Sequence, residues 1–422
     1  FENDPSKKYW HISTLESLLE ENWNSIEEGV TENREYLAAR EKIFSSSVFQ
    51  YFTDQKNRII QESLETDNSF QILGAYTCLL DSIVQTAFDY SFIDIPLIKE
   101  RLLEELNHEL NYKQKNLPEK KEKLTLLKEQ ILEMENNLES GSSSSREYRY
   151  FQEVESQHES ETRILEERIE ELQQLIPQIQ KFTNDKNFVL NHLVIFARGG
   201  YGRAELGLSS DRDLGYCLDT NRLNNGEAEM LRQLIVHIEN LLRNSGVETA
   251  HQYFEIDEDL SRFDEVNTLH TIPSILESRV LLGSESLATN LKNRFFQVIT
   301  FEPYVLNLVR SFSESKEPEL NRMDLKMDYG GLRSLQIPLW ITAATFGIFP
   351  SQTADLLAFL IQKHLLSHRQ ALKLCQALEF LHDLRNFSAV AKEHYFDDEA
   401  RDIGCVQENI LQDQLNDSLE SL

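Results

Sequence analysis

A chain of 422 residues can bury a sizeable core in two or three domains, and 40% hydrophobic with 9% aromatic residues is ordinary globular usage. Its 42 basic and 71 acidic residues leave a formal charge of −29, which repels phosphate backbones and argues against DNA or RNA as a partner. Small nucleotides carried with Mg²⁺ stay open, because the metal supplies the missing positive charge.

The four cysteines (Cys78, Cys217, Cys375, Cys405) lie far apart without CxxC or Cys/His spacing, so neither a disulfide framework nor a zinc site is expected. The longest mainly apolar stretch, Ile337 to Phe349, has thirteen residues, short of the roughly 20 that cross a bilayer. No signal peptide is visible in a chain that starts at Phe1, and a soluble cytoplasmic protein is the expectation.

Residues 1–112 read as a helical region. In "FQILGAYTCLLDSIVQTAFDY" the positions Ile72, Leu73, Leu79, Leu80, Ile83, Val84, Ala87 and Phe88 fall near helical spacing. Over 113–182 the texture changes. Leu117, Leu124, Ile131 and Leu138 recur every seven residues, with Leu127 and Met134 between them. After "GSSSS" a second charged segment carries Leu165, Ile169, Leu172, Ile176 and Ile179. Two such seams predict an antiparallel coiled-coil hairpin, as a spacer or as a docking arm for a partner. Pro177 should end or kink its second helix. His108 and His158, in these charged segments, read as solvated.

Around Asn187 the period changes again. "FVLNHLVIFA" predicts a strand, followed by a glycine turn and a short helix near Tyr201–Leu206. "DLGYCL" offers a second strand with Leu214, Tyr216 and Leu218 on one face, and "VETAHQYFEI" a third. Between them lies an amphipathic helix closed by Gly246. From "IPSILESRVLLGS" onward nearly everything is expected to be helical. Tyr201 reads as a packing residue and "HYFDDEARD" as a solvated loop.

One stretch, "FARGGYGRAELGLSSDRDLGYCL", has the look of chemistry. Backbone must approach phosphates closely, which favours glycine. Two acidic side chains must hold Mg²⁺ nearby. Asp211 and Asp213, two apart on a strand, point to one face.

A strand, Gly-Gly, a helix and Asp-x-Asp on the next strand resemble the DNA polymerase β-like nucleotidyltransferase superfamily. "GGYGRAELGLSSDRDL" is similar, more narrowly, to the signature of bacterial PII-protein uridylyltransferases. The likeness continues through "GVETAHQYFEIDEDL", "ILESRVLLGSESL", "LKMDYGGLRSLQIPLW" and "FLHDLRN", in the same order over residues 190 to 386. The resemblance implies a mostly helical α+β protein. Its small nucleotidyltransferase core, over 187–300, would lie between the N-terminal helices and a C-terminal helical domain over 301–422, with the hairpin inserted. It implies that Asp211 and Asp213 coordinate Mg²⁺ (or Mn²⁺) and are catalytic. Gly199, Gly200 and Ser210 would border the phosphates of a nucleoside triphosphate. Arg203 would set the loop or meet a phosphate, and Lys326 and Arg333 would add positive charge. UMP or AMP would pass to a protein hydroxyl.

The sequence also departs from the family. Arg212 stands between the aspartates, Met327, Asp328 and Tyr329 replace Glu-Gly-Pro, and Ser334 replaces an acidic residue. A third carboxylate has only Glu248 and Glu255 as candidates. His382-Asp383 is a lone His-Asp pair, read as a polar helix face rather than a metal site. The family's C-terminal sensing domains are not visible, which implies a fragment or a shorter relative. These departures leave a second reading open, a weak or inactive nucleotide-binding scaffold that acts through its coiled coil.

Overall fold

The structure, a computed structural model, describes residues 15, 19, 33–63, 69–139, 145–208, 210–256, 271–298, 301–313, 325–326 and 330–395. Among them most residues are helical, and a mixed four-stranded sheet carries the rest of the regular structure. That is the mostly helical α+β class.

The chain opens with α1 (Asn33–Ser63) and α2 (Ser69–Ile93). All eight periodic apolar positions of α2, from Ile72 to Phe88, are buried, as their spacing requires. Next come two long helices, α3 (Ile95–Glu139) and α4 (Ser145–Lys181). They lie antiparallel: Lys128 reaches Glu159 at 3.0 Å, Lys120 reaches Glu161 at 2.6 Å, and Arg168 reaches Glu109 at 3.1 Å. Ile131, Ile169, Leu172, Ile176 and Ile179 are buried, whereas Leu117, Leu124, Leu127, Met134 and Leu165 are half-buried.

Three expectations change here. The first arm starts at Ile95 rather than near 113, because nothing in 95–112 breaks the helix. Of the two outcomes expected at Pro177, an end or a kink, the end does not occur: α4 runs on to Lys181. Burial of Ile176 and Ile179 on either side of the proline offsets a local cost of about 3 kcal/mol. His158 is half-buried, while His108 is exposed as expected. Gly141–Ser144 lie outside the described residues.

The sheet begins after α5 (Lys186–His192) with β1 (Leu193–Ala197). One helical turn, α6 (Gly199–Gly202), leads towards β2 (Asp213–Leu218). Helix α7 (Asn225–Asn244) then crosses to β3 (Ala250–Glu255), and α8 (Thr271–Leu276) precedes β4 (Arg279–Gly283). The strand order is β3-β2-β1-β4. β1 runs antiparallel to both neighbours and β2 parallel to β3, which is why a whole helix joins those two.

The anticipated strand from Phe188 is helical in its first half. Asp185 caps α5 by accepting from Asn187 N–H, which favours a helical start. The helix expected over 201–206 stops at Gly202, and β4 replaces part of the expected helix, since its three-residue apolar run, Val280 to Leu282, reads equally as helix. α7 has a capping box between Asn224 and Glu227, and Gly246 follows it with φ +71°.

Alternation along the strands gives the sheet two buried faces. Leu193, Ile195, Ala197, Leu214, Tyr216 and Leu218 join α2 and α7 in one core. Val194, Phe196, Cys217 and Phe254 join the helices that follow β3: α9 (Glu285–Val298), α10 (Phe301–Ser313) and α11 (Leu332–Phe346). Beyond these lie α12 (Thr353–Gln362) and α13 (His368–Tyr395). No helix among the described residues is long and apolar enough to cross a membrane.

Candidate active site

β1 ends against β2, where Arg198 N–H donates to the Asp213 carbonyl at 2.9 Å. The chain then turns at Gly199 with φ +55°, a conformation that favours glycine. A Cβ there would stand 3.1 Å from Asp213 Oδ2, so the missing side chain also leaves room for the carboxylate. The turn closes with Arg203 N–H on Gly199 O and Glu205 N–H on Gly200 O.

Asp213 opens β2, and Asp211 precedes it by two residues. Burial pushes the Asp213 carboxyl upward; Arg198, 3.9 Å away, opposes this, and the charge of Asp211 adds to it. Asp211 is 72% exposed and meets Lys326 Nζ at 3.4 Å. Both aspartates border a cleft of about 290 Å³. Gly199, Gly200, Ser210 and Lys326 border it too, as do Arg203 and Arg333. The structure therefore brings all eight sequence candidates to one cavity.

The two arginines differ. Arg203 is enclosed by Glu205 and Glu277, each at 2.8 Å, and Glu277 also accepts from Trp340 Nε1 at 2.8 Å. Two carboxylates neutralise this guanidinium, so its contacts are those of a loop-setting strut. Arg333 has no such partner among the described residues. Its Nη1 donates to Gln336 Oε1 at 3.0 Å, its guanidinium lies 4.9 Å from the Trp340 ring centre, and its buried Nε is unpaired. Burial, reinforced by the nearby Arg203 charge, pushes Arg333 down to about 10, which leaves it cationic near neutrality. Ser334 Oγ accepts from Gly330 N–H at 3.0 Å, so this departure from the family serves the turn before α11.

Arg212 points away from the cleft. Its Nη2 donates to Tyr76 Oη at 2.9 Å and its Nη1 to the Glu248 carbonyl at 3.1 Å, with the guanidinium 5.5 Å from the Phe52 ring centre. β2 begins at Asp213, so Asp211 and Arg212 lie just ahead of the strand on which both aspartates were expected, and these contacts turn Arg212 away from the cleft. The two candidates for a third carboxylate are engaged elsewhere or turned aside. Glu255 is held by Arg232 at 2.6 Å, and Glu248 supplies its carbonyl to Arg212. The β3 residue on the cleft face is Gln252, paired with Gly215, and it accepts from Arg198 Nη1 at 2.6 Å. No cluster of three His, Cys, Asp or Glu suited to a metal occurs among the described residues. Two carboxylates completed by substrate phosphates and water are a donor set that suits Mg²⁺.

His382 corrects the sequence reading. It is buried at 2% exposure on the cleft wall, not on a solvated helix face. Both ring nitrogens lack partners among the described residues, and burial, opposed by Glu205 and aided by Arg385 and Arg203, pushes its pKa down to about 4. One turn further along α13, Asn386 Oδ1 accepts from Leu208 N–H at 3.0 Å. Neither residue could be placed from the sequence, because the contact spans 178 positions. Tyr201 is buried at 1% in the core, as a packing residue would be. Residues 396–402 of the acidic stretch lie outside the described residues.

Comparison with known proteins gives this cleft a family context. Residues 310–394, which include Lys326, Arg333 and Asn386, match the family model described as GlnD PII-uridylyltransferase. The chain is related to the PII-uridylyltransferases. The bifunctional uridylyltransferase/uridylyl-removing enzyme of Zymomonas mobilis is 30% identical over 165 residues, 37% of this chain and 17% of that protein. Its counterpart in Ectopseudomonas mendocina is 30% identical over 206 residues, 46% of this chain and 21% of the relative. That of Azospirillum brasilense is 30% identical over 160 residues, 35% and 16%. The match thus spans about a fifth of the length of these relatives.

Proposed function

We propose that the chain is a Mg²⁺-dependent nucleotidyltransferase that moves UMP or AMP from a nucleoside triphosphate to a protein hydroxyl. The observation that carries this reading is the pairing, in one cleft, of two carboxylates with a buried arginine that makes no ion pair among the described residues. The names of the relatives favour uridylyl transfer, and the description of the family model a PII-type protein acceptor.

Asp211 and Asp213 would hold the metal. When bound, Mg²⁺ supplies charge neutralisation at the phosphates and acidity at the attacking hydroxyl. Arg333 and Lys326 bind the phosphate tail from the other side, and the glycine turn lets backbone approach it. Arg203 keeps the turn in place through Glu205 and Glu277.

Incubation of the chain with radiolabelled UTP or ATP, Mg²⁺ and a PII-type acceptor tests the assignment. Asp211→Asn with Asp213→Asn should reduce labelling to background while the fold persists. Unaltered labelling would remove the carboxylates from the mechanism. A second reading, a nucleotide-binding scaffold without transfer, is favoured by Gln252 standing where a third carboxylate would face the cleft. It predicts metal-dependent thermal stabilisation by nucleotide without release of pyrophosphate.

A further inference from the structure

The side chain of Asp211 has little of its own to hold it. Asp211 is 72% exposed, and its 3.4 Å pair with the partly exposed Lys326 contributes little to fixing its position. Its placement rests on its neighbours: the Arg212 side chain on Tyr76 and the Glu248 carbonyl, the buried Leu206 and Leu208, and the backbone around it. Ser210 N–H closes a turn on Gly207 O at 3.0 Å, and Ala250 N–H donates to Arg212 O at 3.2 Å. A longer-range tie is the bond from Leu208 N–H to Asn386 Oδ1 at 3.0 Å, made across 178 positions by a residue only 5% exposed. Gly207 records how close that approach is. A Cβ on it would lie 3.1 Å from Asn386 Oδ1 and 3.1 Å from Ser210 Oγ. α13 places His382 and Arg385 on the cleft wall but adds no carboxylate to it.

We propose that Asn386 is a positioning residue for the metal site: it ties Leu208, three residues ahead of Asp211, to α13, so that Asp211 stands beside Asp213. This rests on the proposed function and extends it. The geometry of the carboxylate pair is then set by a helix that supplies no metal ligand.

The test compares half-saturating Mg²⁺ for binding of UTP and of ATP with the ligand-free melting temperature. Asn386→Leu keeps the volume and removes the acceptor; Asn386→Asp keeps the acceptor; Gly207→Ala pushes the loop away while α13 stays intact. Loss of one buried hydrogen bond corresponds to about tenfold in an equilibrium. Asn386→Leu should therefore raise half-saturating Mg²⁺ about tenfold, Gly207→Ala should raise it by less, because its Cβ only crowds Asn386 Oδ1 and Ser210 Oγ at 3.1 Å, and Asn386→Asp should stay near wild type. If Asn386→Leu does not fold, Gly207→Ala carries the test alone. A lower melting temperature with unchanged Mg²⁺ dependence overturns the positioning role. A wild-type chain whose nucleotide binding ignores Mg²⁺ instead overturns the proposed function.

Discussion

Two buried histidines meet opposite surroundings. His237, where α7 meets the N-terminal helices, lies between Glu41 at 3.3 Å and Asp94 at 3.4 Å. Burial works against its charge, but hydrogen bonds to Asp94 and Glu41 outweigh burial and raise its pKa. His382, in the cleft wall, has neither nitrogen paired among the described residues and is pushed down to about 4. Arg203 and Arg333 repeat the contrast within the cleft itself, one closed by two carboxylates and the other open. Where a buried polar group has partners, it serves the fold. Where several lack them around one cavity, they mark a place for a ligand.

The contrast can be broken most sharply at Arg203. Arg203→Ala would leave Glu205 and Glu277 buried without a counter-charge, a loss of about 3–5 kcal/mol in denaturant unfolding. A loss below about 1 kcal/mol would erase the distinction between the two arginines. Arg333→Met removes a charge that burial already penalises, so stability should hold or rise slightly. Nucleotide affinity, measured by titration, should fall about ten- to hundredfold, as expected for lost charge-assisted bonds. Unchanged affinity would make Arg333 structural as well.

The smallest effects are those of pH. His382 has a folded pKa near 4 against an ordinary 6.5, so the unfolded chain binds more protons between those values. Its neutral form contributes stability that is lost as pH falls from 6.5 towards 4. His237 has the opposite sign: its contribution is full below 6.5 and lost as pH rises through the raised folded value. His382→Gln should flatten the acid limb of the stability–pH curve, and His237→Gln the limb above 6.5. Parallel curves for the two variants would show that the partners do not matter.

Local order explains what was legible. Periodicity marked the apolar faces of α2 and both arms of the hairpin, and the Asp-x-Asp spacing marked Asp211 and Asp213 as a pair. The eight site candidates could be named because glycine turns and strand carboxylates have short-range signatures. What escaped depended on distant partners. β4 is a strand because β1 offers it an edge, and α5 is a helix because Asp185 caps it. His382, Asn386 and Gln252 reach the cleft only through the docking of α13 and the parallel pairing of β2 with β3. No spacing along the chain encodes those encounters.

Arg212 has a practical consequence for anyone trimming this protein. Its seat is built by Tyr76 and Phe52, from helices that precede the sheet by more than a hundred positions. A fragment beginning at Asn187 would strip that seat and uncover Leu214, Tyr216 and Leu218 to water. The strand that Asp213 opens would then have solvent where α2 now supports it. The sheet is best excised together with its leading helices, because one residue wedged between two acids anchors them to each other.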